Sequence, residues 1–161
     1  MDIAIAREII YRSARSGEQP PPEIIEWLIS EHERLSGREK VELPFLCAIT
    51  VLPYDRDTFW RIAKLLYPSY WYVRLISDAI KYVASMGENW RVFYNVALQC
   101  IRDMPLGMRS LSYTTLATPV CNISKAHSYS LAKNSVNTLS LIHISEPTRP
   151  RLISYAVFCL K

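Results

Sequence analysis

The chain has 161 residues, a length typical of one domain, with half of them apolar and a formal net charge of +4. Residues 1–106 carry 13 Lys and Arg against 14 Asp and Glu, whereas residues 107–161 carry six against one. A nucleic-acid function therefore cannot be argued from total charge. The longest uncharged apolar run, residues 45–52, is far shorter than the roughly 20 residues that span a bilayer. Because no basic and apolar leader opens the chain, we expect a cytoplasmic protein without membrane association.

The first part of the chain predicts amphipathic helices. Residues 2–16 place apolar side chains on one helix face behind Asp2, which suits the capping position. Three prolines fix a corner before a second helical pattern at residues 22–36. Residues 41–52 contain enough β-branched residues to permit a strand. Their length and all-round apolar character favour a buried helix that starts near Pro44.

Residues 54–94 are the most aromatic part of the sequence, with three of the four tryptophans and six of the ten tyrosines. Each buried aromatic side chain removes about 150–250 Å² from water, so we expect these rings to form the core. Three further helices are predicted in this region, and prolines or glycines end each of them. They cover residues 57–67, residues 70–86, and residues 89–104 up to Pro105 and Gly107.

The character of the sequence changes after residue 106. Ser, Thr and Asn dominate residues 107–140, acidic residues are absent there, and no apolar period persists. This composition is typical of loops or disorder. The predicted fold is therefore all-α, with five or six short helices in a compact bundle of hairpins over residues 1–106. A low-order segment at residues 107–140 and a disordered, non-native tail at residues 141–161 are expected to follow.

The last 21 residues resemble something other than a protein family. The matching stretches are LIHISEP at residues 141–147, the Thr148–Arg149 pair, and ISYAVFCLK at residues 153–161. They are similar to the read-through translation of a sequencing adapter or vector junction, an artefact at the ends of uncurated metagenomic open reading frames. The resemblance implies a chain truncated before its natural end. No family is recognised for residues 1–109.

Two short motifs resemble metal sites but lack the necessary ligands. The sequence from His32 begins like the zinc-protease helix H-E-x-x-H, but Ser36 stands where the second histidine is needed. Asp55 and Asp57 are spaced like a pair of cation ligands, yet helix capping explains them without a metal. With no glycine-rich phosphate loop or nucleophile motif either, we predict a non-enzymatic protein without metal, cofactor or small-molecule substrate. An enzyme whose catalytic residues are scattered along the sequence is the remaining alternative.

Residues 61–81 resemble a helix-turn-helix, with a short break between two helical patterns. In that interpretation Ser69 and Tyr70 would lie near the groove, and Arg74 and Lys81 would contact phosphates or bases. Against it, the second helix opens with aromatic residues and the body is slightly acidic. A plain helical hairpin explains the same pattern.

The aromatic cluster at Tyr67, Tyr70, Trp71 and Tyr72 is the leading functional prediction. So many rings cannot all face inward from one helix, and exposed aromatic residues are the typical anchors of protein interfaces. We therefore expect a small interaction module that binds a protein partner, or a second copy of itself, through these four side chains. Helix-turn-helix DNA binding is the alternative.

Overall fold

A computed structural model describes residues 1–142, and over that range all regular secondary structure is helical, with eight α-helices. The chain divides into two compact units, Met1–Tyr67 and Pro68–Lys161. No helix in residues 1–142 combines the length and the apolar character that crossing a membrane requires. The prediction of an artefactual tail lies outside the described residues for all but its first two positions.

The N-terminal unit contains four α-helices and two single turns of 3-10 helix. The α-helices are α1 (Ile3–Ser16), α2 (Pro22–Glu31), α3 (Glu39–Val51) and α4 (Arg56–Ala63), and the 3-10 turns are His32–Arg34 and Lys64–Leu66. Helix α3 packs against both α1 and α4, so it lies at the centre of this unit. The apolar side chains of the core are aliphatic apart from Phe59, and the fully buried ones include Ile10, Leu28, Leu43 and Ile62.

Helix α3 contains a proline, and a histidine from the preceding turn compensates for it. Pro44 has no N–H, so the carbonyl of Lys40, four residues earlier, receives no helical hydrogen bond from that position. The buried ring of His32 lies 2.9 Å from this carbonyl oxygen through Nε2. Because a carbonyl can only accept, Nε2 is the protonated nitrogen that donates. The His32 side chain thus supplies the hydrogen bond that Pro44 cannot donate to the Lys40 carbonyl.

Helix α4 begins with a well-formed cap at Asp55. Its carboxylate accepts hydrogen bonds from the backbone N–H of Asp57 at 3.0 Å and of Thr58 at 3.1 Å, and from the Thr58 hydroxyl at 2.6 Å. The Thr58 hydroxyl and N–H are the main reasons why the pKa of Asp55 is lowered. Because the pKa of Asp55 is lowered by folding, its ionised cap stabilises the fold above the unfolded-state pKa. This stabilisation is lost as the pH falls through the folded-state pKa.

The C-terminal unit contains the other four helices. They are α5 (Tyr70–Ser85), α6 (Arg91–Asp103), α7 (Leu106–Val120) and α8 (Lys125–Ile142). Helix α7 is central here, because it packs against α5, α6 and α8. The fully buried side chains are again aliphatic and include Leu75, Ile76, Ile80, Ile101 and Leu116.

Hydroxyl side chains occupy much of the contact between α7 and α8. The Ser135 hydroxyl donates to the carbonyl of Ser110 at 3.1 Å and lies 3.0 Å from the Thr114 hydroxyl. The Ser110 hydroxyl in turn lies 3.1 Å from that of Ser135, and all three residues are buried. Small side chains let the helices approach closely, and the hydrogen bonds offset the cost of burying polar groups.

The structure corrects two predictions about the fold. The number of helices is eight rather than five or six, because α7 and α8 occupy the Ser/Thr/Asn-rich stretch in which a loop or disorder was expected. The aromatic residues of the middle segment also contribute less to the core than predicted. None of the four tryptophans is fully buried, and Phe59 is the only aromatic residue among the largest fully buried side chains of residues 1–141.

Candidate interaction surface

The first turn of α5 positions the predicted aromatic residues of the C-terminal unit. Ser69 caps this helix, because its hydroxyl accepts a hydrogen bond from the N–H of Tyr72 at 3.4 Å. The Ser69 carbonyl also accepts from the Cys100 thiol at 3.7 Å. Both groups of Ser69 therefore help to fix the start of α5.

Trp71 is the most exposed aromatic residue of the predicted cluster, with 46% of its surface accessible. The half-buried ring of Tyr70 packs edge to face against it, with 5.4 Å between the ring centroids. The Tyr70 hydroxyl accepts a hydrogen bond from the Thr115 hydroxyl on α7 at 3.3 Å. Tyr70 thereby connects the exposed indole to the helix at the centre of the unit.

The other two predicted aromatic residues do not join this pair. Tyr72 is only 5% exposed, so it is a core residue of the C-terminal unit and cannot serve as a contact for a partner. Tyr67 is 38% exposed but belongs to the N-terminal unit. Of the four predicted residues, only Tyr70 and Trp71 therefore present their rings together at the surface of the C-terminal unit.

The two basic residues of the DNA-binding alternative lie on the exposed side of α5 and share one carboxylate. Asp78 lies 3.8 Å from the guanidinium of Arg74 and 3.7 Å from the ammonium of Lys81. Both distances are long for ion pairs on a helix surface, where such pairs contribute little to stability. The helix-turn-helix prediction also spans the division between the two units, with residues 61–67 in one and residues 68–81 in the other.

A second group of rings, which sequence reasoning missed, joins α6 to α8. The His127 ring lies 5.2 Å from the ring of Trp90 and 5.1 Å from that of Tyr94, edge to face in both cases. His127 Nδ1 is 2.7 Å from the Ser124 hydroxyl, which also accepts from the His127 backbone N–H. Burial is the main reason why the pKa of Tyr94 is raised. These rings contact one another and therefore have a structural role in packing. The only signal for this group in the sequence was the three-residue spacing of Ser124 and His127.

The part of the chain that the structure describes contains both potential metal ligands and cysteine thiols. Within residues 1–142, no group of three or more His, Cys, Asp or Glu side chains could hold a metal ion. Burial raises the pKa of the Cys47 thiol to about 12 and that of the Cys100 thiol to about 11. Thiols with raised pKa values carry little thiolate near neutral pH and react slowly.

Comparisons of this chain with protein-family models, with curated proteins and with solved structures found no match.

Proposed function

We propose that this chain is a small non-enzymatic interaction module of the cytoplasm that binds a protein partner through Trp71 and Tyr70. The observation that carries the proposal is the large exposed area of the Trp71 indole on a helix whose start is fixed by Ser69. Tryptophan is among the residues that contribute most to binding when a partner covers them.

Rigid support for the indole strengthens this proposal. Tyr70 packs against Trp71 and is itself hydrogen-bonded to Thr115, so both rings are placed before a partner arrives. A contact surface that is ordered in the free protein loses less side-chain entropy on binding. Arg74 lies one turn further along the same face and supplies a second residue type that is enriched at interfaces.

The experiment compares Trp71→Ala with the full-length parent chain. A photoreactive amino acid at position 85, on the exposed last turn of α5, would trap a bound protein in an extract of the organism that encodes the chain. We expect the covalent adduct to fall by at least about tenfold in Trp71→Ala, as for the loss of an interface anchor. Circular dichroism should show unchanged helicity.

The matched control is Tyr129→Ala, which removes another exposed ring, 57% accessible, from α8 of the same unit. This variant should give as much adduct as the parent chain. An adduct that persists in Trp71→Ala, or the lack of any adduct in the parent, contradicts the proposal.

The alternative, DNA binding through α5, has one observation in its favour. Residues 68–142 carry seven Lys and Arg against three Asp and Glu, so the described part of the C-terminal unit is basic. Affinity for duplex DNA that falls steeply with salt, and that is lost in Arg74→Ala/Lys81→Ala but kept in Arg91→Ala/Arg102→Ala, would establish it. A DNA affinity that does not fall with added salt, or that survives Arg74→Ala/Lys81→Ala, would reject DNA binding through α5.

A further inference from the structure

The exposed face of α5 carries a row of four side chains whose spacing is the same when it is read from either end of the helix. Trp71, Arg74, Asp78 and Lys81 are spaced three, four and three residues apart, which keeps them on one side of a helix. Trp71, Arg74 and Lys81 are exposed, and Asp78 is half-buried between its two basic neighbours. We refer to these four residues as the α5 stripe.

From this order we propose that the partner of the α5 stripe is the α5 stripe of a second copy of the chain, packed antiparallel to it. If a two-fold axis passes the helix at the level of Ile76, Arg74 of each copy faces Asp78 of the other. The same operation places Lys81 of each copy over the indole of Trp71 of the other. The surface is thus self-complementary, as a two-fold interface requires.

Each of these pairings is chemically favourable. An arginine and a carboxylate form charge-assisted hydrogen bonds, and an ammonium group over an indole face is a cation–π contact. Trp71 and Lys81 are ten residues apart, so the pairings extend over about 15 Å of helix. Within residues 1–142 the Asp78 carboxylate makes two long intrahelical contacts, and these can be exchanged for intermolecular ones.

Other arrangements of two stripes lack this match. In a parallel pair each residue meets its own copy, so that Arg74 faces Arg74 and Asp78 faces Asp78. Shifting the antiparallel pair to bring Arg74 opposite Lys81 also places like charges together. Like charges across an interface disfavour a pairing, so the charges select the antiparallel arrangement centred at Ile76.

The size of the stripe sets the strength of the expected contact. A helix of 16 residues is about 24 Å long, and one pair of such helices buries less than the roughly 1,000 Å² of a stable interface. The dimer should therefore be weak, with a dissociation constant on the order of 100 µM. This inference rests on the proposed function, because it names the partner of the same surface.

Charge reversal in the full-length chain tests the pairing. Arg74→Glu alone and Asp78→Arg alone each place like charges opposite one another in a homodimer. A mixture of these two variants instead restores two opposite-charge pairs, because each chain now complements the other. Sedimentation velocity and native mass spectrometry over a concentration series would measure the homodimers and the mixed dimer.

We expect each single variant to dimerise about tenfold more weakly than the parent chain, and the mixed dimer to regain the parent affinity. Changes within each helix are the same in the separate and mixed samples, so they cannot produce the recovery. A parent chain that stays monomeric up to about 1 mM overturns the inference, as does random mixing of the two variants.

The trapped adduct distinguishes this inference from the proposed function. A Trp71-dependent adduct of twice the chain mass supports both. An adduct with a protein of another mass retains the proposed function and rejects self-pairing. With the chain added at about 1 mM, well above the expected dissociation constant, the lack of any adduct rejects both.

Discussion

The core of the N-terminal unit and the contact between α7 and α8 join helices by different chemistry. Helix α3 packs on its neighbours through aliphatic residues such as Leu43, around the buried ring of Phe59. Helices α7 and α8 meet through Ser110, Thr114 and Ser135, which are just as deeply buried. The first contact gains most from removing apolar area from water, the second from close approach with satisfied hydrogen bonds.

This difference teaches that hydroxyl residues can form a helix contact when each of them finds an acceptor. Thr114 and Ser112 both donate to the carbonyl four residues earlier, so their helix satisfies them locally. Ser135 has its acceptor on the facing helix. The contact therefore includes individual hydrogen bonds as well as apolar area, and the contribution of the hydrogen bonds can be tested.

The largest expected effect is that of Phe59→Ala in the N-terminal unit. Removing a fully buried ring leaves a cavity, and we expect the free energy of unfolding to fall by about 3–5 kcal/mol. Urea titration followed by circular dichroism would measure it, with Ile5→Ala, an exposed apolar residue in the same unit, as the control. A loss below about 1 kcal/mol would show that this core is not tightly packed.

A pair of serine substitutions tests the contact between α7 and α8. Ser135→Ala removes the hydroxyl that donates to the Ser110 carbonyl and that lies next to the buried Ser110 hydroxyl, so we expect a loss of about 1–3 kcal/mol. Ser128 is equally buried on α8, but its hydroxyl has no hydrogen-bond partner within residues 1–142. Ser128→Ala should therefore be neutral or stabilising, and equal costs for the two variants would contradict the role given to hydrogen bonding.

His32 offers a polar contact within the aliphatic unit, and a double-mutant cycle can isolate it. His32→Ala removes the donor to the Lys40 carbonyl, whereas Pro44→Ala returns the helical N–H to that carbonyl. We expect His32→Ala to cost about 1 kcal/mol less in the Pro44→Ala background than in the parent chain. Additive effects in the same urea titrations would mean that the two residues act independently.

The smallest perturbation is chemical labelling of the thiols. The reaction rates of Cys47 and Cys100 compare how often the two units expose their buried thiols to solvent. With Cys159→Ser as the background, iodoacetamide at pH 8 should modify the half-buried Cys121 well before Cys47 or Cys100. The raised pKa values of the buried thiols mean that their thiolates form only as the pH approaches 11 to 12. Mass spectrometry of the labelled peptides reports the order, and early labelling of Cys47 would indicate frequent opening of the N-terminal unit.

The sequence predicted the helices that carry both a capping residue and an apolar period. Asp2 caps α1 and Ser69 caps α5, and both helices begin within one residue of the predicted position. Helix α3 lacks both signals, and it was predicted from its length and all-round apolar character. Prediction failed for α7, which lacks those features as well. Helix α7 has no side-chain cap, its apolar residues do not cluster on one face, and Gly107 lies in its first turn rather than after a helix end.

The candidate surface was predictable only in part. The sequence identified Trp71 and Tyr70 because consecutive rings cannot all be buried on one helix. It could not decide that Tyr72 faces the core and Trp71 faces outward, because that choice depends on how α5 is rotated against α6 and α7. The position of Asp78 between Arg74 and Lys81 also became meaningful only when all three were found on the same exposed side.

The hydrogen bond from His32 to the Lys40 carbonyl has a consequence for the order of assembly. Helix α3 cannot satisfy all of its backbone hydrogen-bond acceptors by itself, since the donor for the Lys40 carbonyl comes from a residue eight positions earlier. A newly formed α3 therefore reaches its final stability only after the turn that follows α2 has docked against it. We expect these two segments to gain protection from amide exchange together, as one cooperative folding step.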